Sequence, residues 1–437
     1  MKVKNNLLKK VLIITYYWPP SGGGGVQRWV KFVKYLPKFN IEPVVLTVDS
    51  DYAAYALLDQ TLYKDIDAKL EVVKTKSFEP LNIYSKISSN KEIPYGGFAN
   101  EENPGLFQKV SRFIRGNFFI PDARIGWNKY ALSKAIELIK KYNIDTVITS
   151  SPPHSTQLIG LKLKQEFGIN WIADMRDPWT DIYYYKKMYH TSIVKKIDKR
   201  KELKVLKNAD NVIVVSDSIK KLFSKKIGEA NSHKISVIPN GFDIGDFKDD
   251  GKSKNKNFTI TYTGTIADNY NIDGFISAVI DFMENKKDTQ INLKFIGRVS
   301  NKYRTLIEDS ILKSHCSFSK HVDHNESILF LQKSDALFLA IPDEPQNEGI
   351  LTGKLFEYLA AKKPIIAIGP EEGDAANIIS ECNAGEMFDY NAKSEIRNYL
   401  EKLYLNWVES KSVELSDNTY LKYTRENLTK KLSLLIS

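Results

Sequence analysis

The chain has 437 residues, too many for one ordinary core and suited to two domains of about 200 residues each. Hydrophobic residues make up 42% and charged residues 27%, the balance of a soluble globular protein, and the two cysteines, Cys316 and Cys382, exclude a disulfide framework and point to a reducing compartment, the cytoplasm. The net charge of +10 favours anionic partners, either phosphorylated small molecules or an acidic lipid surface; zinc-finger and RNA-recognition signatures are missing, so no nucleic acid is expected.

Met1–Lys10 is rich in Lys and Asn and lacks the apolar stretch of a signal peptide. No run approaches the roughly 18 apolar residues of a membrane span. Val11–Tyr16 reads as a buried strand, followed by a turn through Trp18, Pro19, Pro20, Ser21 and Gly22–Gly25. Val26, Trp29, Val30, Val33 and Leu36 then recur at helical spacing. Glycines at a helix start let backbone N–H groups approach a phosphate or sugar, with a tight turn as the plain alternative. A dinucleotide fingerprint fails because Gln27 stands at its third glycine position. Pro43–Val48 is the next strand, and residues 60–120 read as a poorly patterned insertion. The Asp-x-Asp pairs Asp49–Asp51 and Asp65–Asp67 lack a supporting context and read as surface charge; no metal is expected.

Helix Leu132–Tyr142 leads to strand Thr146–Ser150, and helix Ser155–Phe167 leads to strand Asn170–Asp174. Between the first strand and its helix, the stretch SSPPHSTQ holds His154 at the sheet's carboxyl edge, where it is able to donate to a sugar hydroxyl or a phosphate. The second strand ends in DMRDPWTD. Arg176 there either neutralises Asp174 or Asp177, or leaves Asp177 to orient an acceptor hydroxyl, with Trp179 as a stacking face. Segment 183–207 mixes aromatics with lysines and reads as a solvated helix face, with peripheral contact to an anionic membrane as the alternative. Asn211–Ser216 closes the first series, and a boundary is expected within 218–235.

A second series follows: strands Ile235–Ile238, Phe258–Thr263, Ile291–Ile296, Ala336–Ile341 and Pro364–Ile368, with helices Ile272–Met283 and Lys354–Ala361. Asp249–Asn257 reads as a polar loop. Strands alternating with helices imply parallel sheets covered on both faces. Lys354 and Glu357 are three apart at a helix start and share a face, Lys354 suited to a diphosphate and Glu357 to a ribose diol. An ordinary surface ion pair is the plain alternative. Arg298 after Ile291–Ile296 is a second candidate for diphosphate charge.

These segments together resemble glycosyltransferase family 4. The likeness runs through PDARIGW, SPPH, ADMRDPW, PNGFD, YTGT and FIGR to GKLFEYLAAKKPIIA, the most specific stretch, and ends in YTRENLTKKL. The resemblance implies an α/β GT-B fold: two Rossmann-like domains facing across a cleft, 1–225 and 226–417, with a helix in 418–437 returning to the first. It implies a retaining, metal-independent transfer from a nucleotide-sugar donor to a glycan or lipid-linked acceptor, in cell-surface polysaccharide synthesis. Lys354, Glu357, Arg298, Thr265, Leu351 and Thr352 fall to donor binding, with Gly24 and Gly25 near the phosphate and His154 beside the reacting sugar. Asp177 as an acceptor-side catalytic residue extends the resemblance. The chain departs from the family where Gly349 replaces the first of two spaced glutamates, and where no lysine follows Gly264 and Thr265. Those losses keep open a non-catalytic nucleotide-binding or scaffold subunit; a nucleotide-sugar epimerase on the same fold is a further alternative, against which the family 4 motifs argue.

Overall fold

The computed structural model describes residues 8–436 apart from 54, 56, 79–104, 248–254, 287–288, 321 and 412–417. Most of the expected polar loop and the middle of the 60–120 segment therefore lie outside the described residues. Two compact units emerge, Met1–Pro239 with Arg425–Ser437, and Asn240–Thr424.

The first unit contains β1 (Lys9–Ile14), β2 (Ile41–Val48), β3 (Glu71–Thr75), β4 (Thr146–Ser151), β5 (Asn170–Met175), β6 (Asn211–Val214) and β7 (Ile235–Val237). They form one parallel sheet in the order β3-β2-β1-β4-β5-β6-β7. The second unit contains β8 (Phe258–Thr263), β9 (Ile291–Ile296), β10 (Cys316–Ser319), β11 (Ala336–Ala340), β12 (Ile365–Ile368) and β13 (Gly385–Phe388). Its parallel sheet runs β10-β9-β8-β11-β12-β13. Apart from the extra β7, each sheet has the doubly wound order of a dinucleotide-binding domain, with a switch point between its first and fourth strands.

The apolar runs of the central strands follow from burial on both faces. Leu12 and Ile14 pack into one layer while Val11 and Ile13 pack into the other. In the second unit Phe338 and Ala340 enter one layer, and Leu337 and Leu339 the opposite one. Successive side chains of a strand point to opposite faces, so both must be apolar when helices cover both.

Three sequence expectations need correction. Ile235–Val237 closes the first sheet by pairing with β6, instead of opening the second. The units accordingly divide after Pro239 and Thr424, later than the expected 225 and 417. Residues 60–120 are not wholly an insertion, since Glu71–Thr75 is the edge strand β3 and Leu106–Phe118 is a helix.

The last helix, Arg425–Ile436, belongs to the first unit, as the resemblance implied. Its Leu428, Leu432 and Ile436 recur at four-residue spacing and join the layer formed with Trp29, Phe32 and Val33 of helix Gly24–Tyr35. We predict that Leu432→Ala, at a fully buried position, destabilises the first unit by about 2–5 kcal/mol. Chemical denaturation monitored on the tryptophans, five of which are fully buried there, measures the loss.

Candidate functional site

Several of the expected residues stand on loops at the carboxyl ends of the strands that flank each unit's switch point. In the second unit, β8 runs into Gly264 and Thr265, and β11 into the turn that starts helix Gly353–Ala361. Lys354 lies across this point. Its Nζ donates to the Tyr262 hydroxyl at 2.5 Å and sits 4.5 Å from that ring's centroid. Gly264 is required where it stands: its φ is +107°, and a β-carbon would come within 2.8 Å of Lys354 Cε. Lys354 forms no salt bridge among the described residues. Burial pulls its ammonium down to about 8, opposed by Glu357.

Glu357, one turn on, has the His324 Nδ1 at 3.6 Å, and His324 Nε2 lies 3.3 Å from Asp246. Asp246, His324 and Glu357 thus lie in a row. Thr352 caps the helix start, and its buried hydroxyl lacks a partner among the described residues. The side chain of Leu351 packs against the core. Arg298 is exposed just beyond β9. At the position of the missing family glutamate, the turn Asn347–Gly349 leaves Glu348 exposed. Asn347 donates to Pro342 and Tyr390, which holds the turn.

In the first unit the loops after β1, β4 and β5 surround a cavity of about 390 Å³. Gly22–Gly25, His154 and Arg176 line it, facing Arg115, Arg124 and Tyr184. Arg176 donates through Nε to the Ser151 carbonyl at 3.1 Å and through Nη2 to that of Pro152 at 3.2 Å. Its guanidinium lies on Gly25, where a β-carbon would stand 1.8 Å from Nη1. A glycine is the one residue that permits this approach. His154 stacks on Trp179 at 4.9 Å and 10°. Its Nδ1 is buried without a partner among the described residues. Burial, then Arg176 and Lys226, hold the imidazole near 3, so it is neutral at physiological pH.

Some expectations about these side chains change. Trp179 supports His154: one face is covered by the imidazole and its Nε1 donates to Asp198 at 2.8 Å. Asp174 is paired with Arg28 at 3.1 Å, not with Arg176. Asp177 is absent from the cavity lining; burial raises its pKa, partly offset by Arg176.

The sequence reading missed Tyr262, Asp246, His324, Asp198 and Glu202. In helix Ser192–Asn208 the acidic residues Asp198 and Glu202 are buried while Lys195, Lys196 and Lys199 are exposed. Asp198 accepts from Trp179 and Tyr185, and Glu202 from Thr180 and Lys226. The four-residue spacing of the two carboxylates was the available signal. Among the described residues, no three His, Cys, Asp or Glu side chains converge to hold a metal ion, and no helix is long and apolar enough to cross a membrane. Asp65 binds Lys31 and Lys34, and Asp49 caps the next turn.

Comparison with known proteins decides the family. The model for Glycosyltransferase Family 4 matches residues 95–246, and that for Glycosyl transferases group 1 matches residues 243–422. The chain belongs to the family 4 glycosyltransferases. It is 20% identical over 202 residues to a putative teichuronic acid biosynthesis glycosyltransferase, TuaH, of Bacillus subtilis. That match covers 45% of this chain and 49% of the relative, so the chain spans about half the length of that curated relative. Sucrose-phosphate synthase from Thermosynechococcus elongatus superposes with a TM-score of 0.62 at 14% identity, covering 98% of each chain. Anabaena HepE in complex with UDP-glucose gives 0.60 at 12%, covering 98% of this chain and 99% of that one. These likenesses identify the family 4 chain's fold as GT-B.

Because His154 is held neutral by burial, we predict that its ring signals in an NMR titration do not move between pH 5 and 8. The depressed pKa makes the unfolded chain bind the extra proton. The contribution of His154 to stability is therefore complete above about 6.5 and is lost as pH falls toward about 3. A midpoint for His154 near 6.5 in the folded protein would contradict the buried setting.

Proposed function

We propose that this family 4 glycosyltransferase transfers a sugar, with retention of configuration, from a nucleotide-sugar donor held by the second unit to a glycan or lipid-linked acceptor held by the first. The observation that carries the reading is Lys354: an enclosed ammonium at the switch point, bonded to a tyrosine hydroxyl and lacking a carboxylate partner among the described residues. Such a group is completed by an anion. A nucleoside diphosphate supplies that anion and also presents a ribose diol to Glu357 one turn away. Arg298 and the backbone at Thr265, Leu351 and Thr352 extend the same donor site. The UDP-glucose bound by HepE supports a nucleotide-sugar donor, and the place of TuaH in teichuronic acid biosynthesis supports polysaccharide synthesis.

In this reading the chemical demand is negative charge developing on the leaving diphosphate. Lys354 and Arg298 answer it in the second unit; Gly24 and Gly25, at a helix N-terminus of the first unit, are the amide donors that the resemblance assigns to a phosphate. His154, neutral and with an open Nδ1, hydrogen-bonds the sugar. Asp177 lies outside the cavity lining and takes no part in this reading. Charge stabilisation by these residues makes the reaction metal-independent, so activity is expected to persist in excess EDTA; its abolition and rescue by a divalent cation would refute that part.

Nucleoside diphosphate binding tests the donor site by calorimetry. Lys354→Ala and Glu357→Ala are each expected to weaken it by about 1.5–3 kcal/mol, the size of a charge-assisted hydrogen bond. Only the protonated ammonium attracts the diphosphate. Wild-type affinity therefore falls as pH rises above about 8, and Lys354→Arg removes that fall. Unchanged affinity in both alanine variants would move the site elsewhere. Nucleotide binding without turnover of any nucleotide sugar would favour a non-catalytic subunit.

A further inference from the structure

At the switch point of the second unit, one hydroxyl oxygen carries two hydrogen bonds. Tyr262 of β8 is buried, with its ring 6.2 Å from Phe295 and 5.9 Å from Phe338. Its hydroxyl donates to the Thr265 carbonyl at 2.8 Å and meets Lys354 Nζ at 2.5 Å. A phenol has a single proton. With that proton spent on Thr265, the oxygen can meet Lys354 only as an acceptor. Burial pushes the phenol well above its ordinary value, so the proton stays in place. The same oxygen therefore ties down the turn after β8 and fixes the direction of the ammonium.

The surroundings of the ammonium are aromatic. Nζ lies 4.5 Å from the centroid of Tyr262 and 5.7 Å from that of Tyr270, contacts that favour the charged form. Glu357 stands one turn on along the same helix, with His324 and then Asp246 beyond it. Glu357 raises the ammonium's value, and burial outweighs it. An ammonium offers three protons; Tyr262 takes one, and Lys354 makes no other hydrogen bond among the described residues. The helix does not need this bond to dock. Tyr358 accepts from the Thr263 amide at 3.1 Å, and Leu355, Phe356 and Leu359 are fully buried.

We infer that Tyr262 is a positioning residue for Lys354: its hydroxyl compensates the buried charge and aims the ammonium's remaining protons at the anion of the donor. The inference rests on the reading that Lys354 holds a nucleoside diphosphate, and it adds a residue that acts through that lysine.

Tyr262→Phe tests it, because the ring stays and only the oxygen goes. Titration of the full-length protein is followed by NMR on 13C-labelled lysines, with the Lys354 signal assigned by its loss in Lys354→Arg. Removing the acceptor is expected to lower the Lys354 midpoint from about 8 by roughly one pH unit, the worth of a hydrogen bond to a charged group. Relative to wild type, calorimetric affinity for UDP is then expected to fall about fivefold or more at pH 8 and clearly less at pH 6, where the ammonium is charged in both proteins. A purely structural role would lower stability and move neither the midpoint nor that pH dependence. An unchanged Lys354 midpoint in Tyr262→Phe overturns the inference. Where Tyr262→Phe does not fold, the double variant with Lys354→Met, which strands no charge, decides. Recovery of folded protein supports the ammonium–hydroxyl bond; failure to recover assigns Tyr262 to packing and overturns the inference. A failed donor reading would appear separately, as UDP affinity unchanged in Lys354→Ala, while the lysine titration still reads the Tyr262 contact.

Discussion

The buried carboxylate of Asp174 organises the first unit. It lies at the end of β5 and is fully enclosed. It accepts from Arg28 at 3.1 Å, Trp29 at 2.9 Å and Ser150 at 2.9 Å. Arg28 in turn donates to the Pro239 carbonyl at 2.8 Å, where the unit's first pass of chain ends. One charge thereby ties the helix after β1 to the ends of β4 and β5 and to the exit of β7. Taking such a pair out of water is costly, and removing one partner costs about 3–5 kcal/mol because the other charge is left stranded. The glycine turn, His154 and Arg176 leave from the elements this network joins.

The switch point explains why residues distant in sequence converge. In a parallel sheet every carboxyl end lies on one edge, and loops from neighbouring strands diverge where the strand order reverses. The first sheet brings Gly22–Gly25 and His154 to that edge, and the second brings Gly264 and Lys354. The sites differ in electrostatics. The second unit isolates one ammonium against tyrosines, whereas the first gathers three guanidinium groups around a cavity.

The chain-level reading of the fold was legible wherever strands are buried on both faces. Phe258–Thr263 and Ile291–Ile296 coincide with their predicted spans, because double burial demands an unbroken apolar run. The strands that escaped, Glu71–Thr75, Cys316–Ser319 and Gly385–Phe388, stand at sheet edges. They are short and half-exposed, and polar residues dilute their pattern. Ile235–Val237 was visible as a strand, but no local feature says which of two sheets a three-residue strand joins.

The places of Lys354, Glu357, His154 and the glycine turn at helix starts and strand ends were readable from amino-acid order alone, because short-range patterns mark such positions. The Asp246–His324–Glu357 row was hidden: its members are far apart in sequence, 78 residues between the first two, and meet through packing. The partner of Asp174 was hidden for the same reason, since Arg176, two positions away, looked the natural choice while Arg28 from another strand's helix holds the bond. Local order sets which groups a segment offers; folding in three dimensions selects which charges lose their water, and a charge without water takes whatever partner is nearest in space.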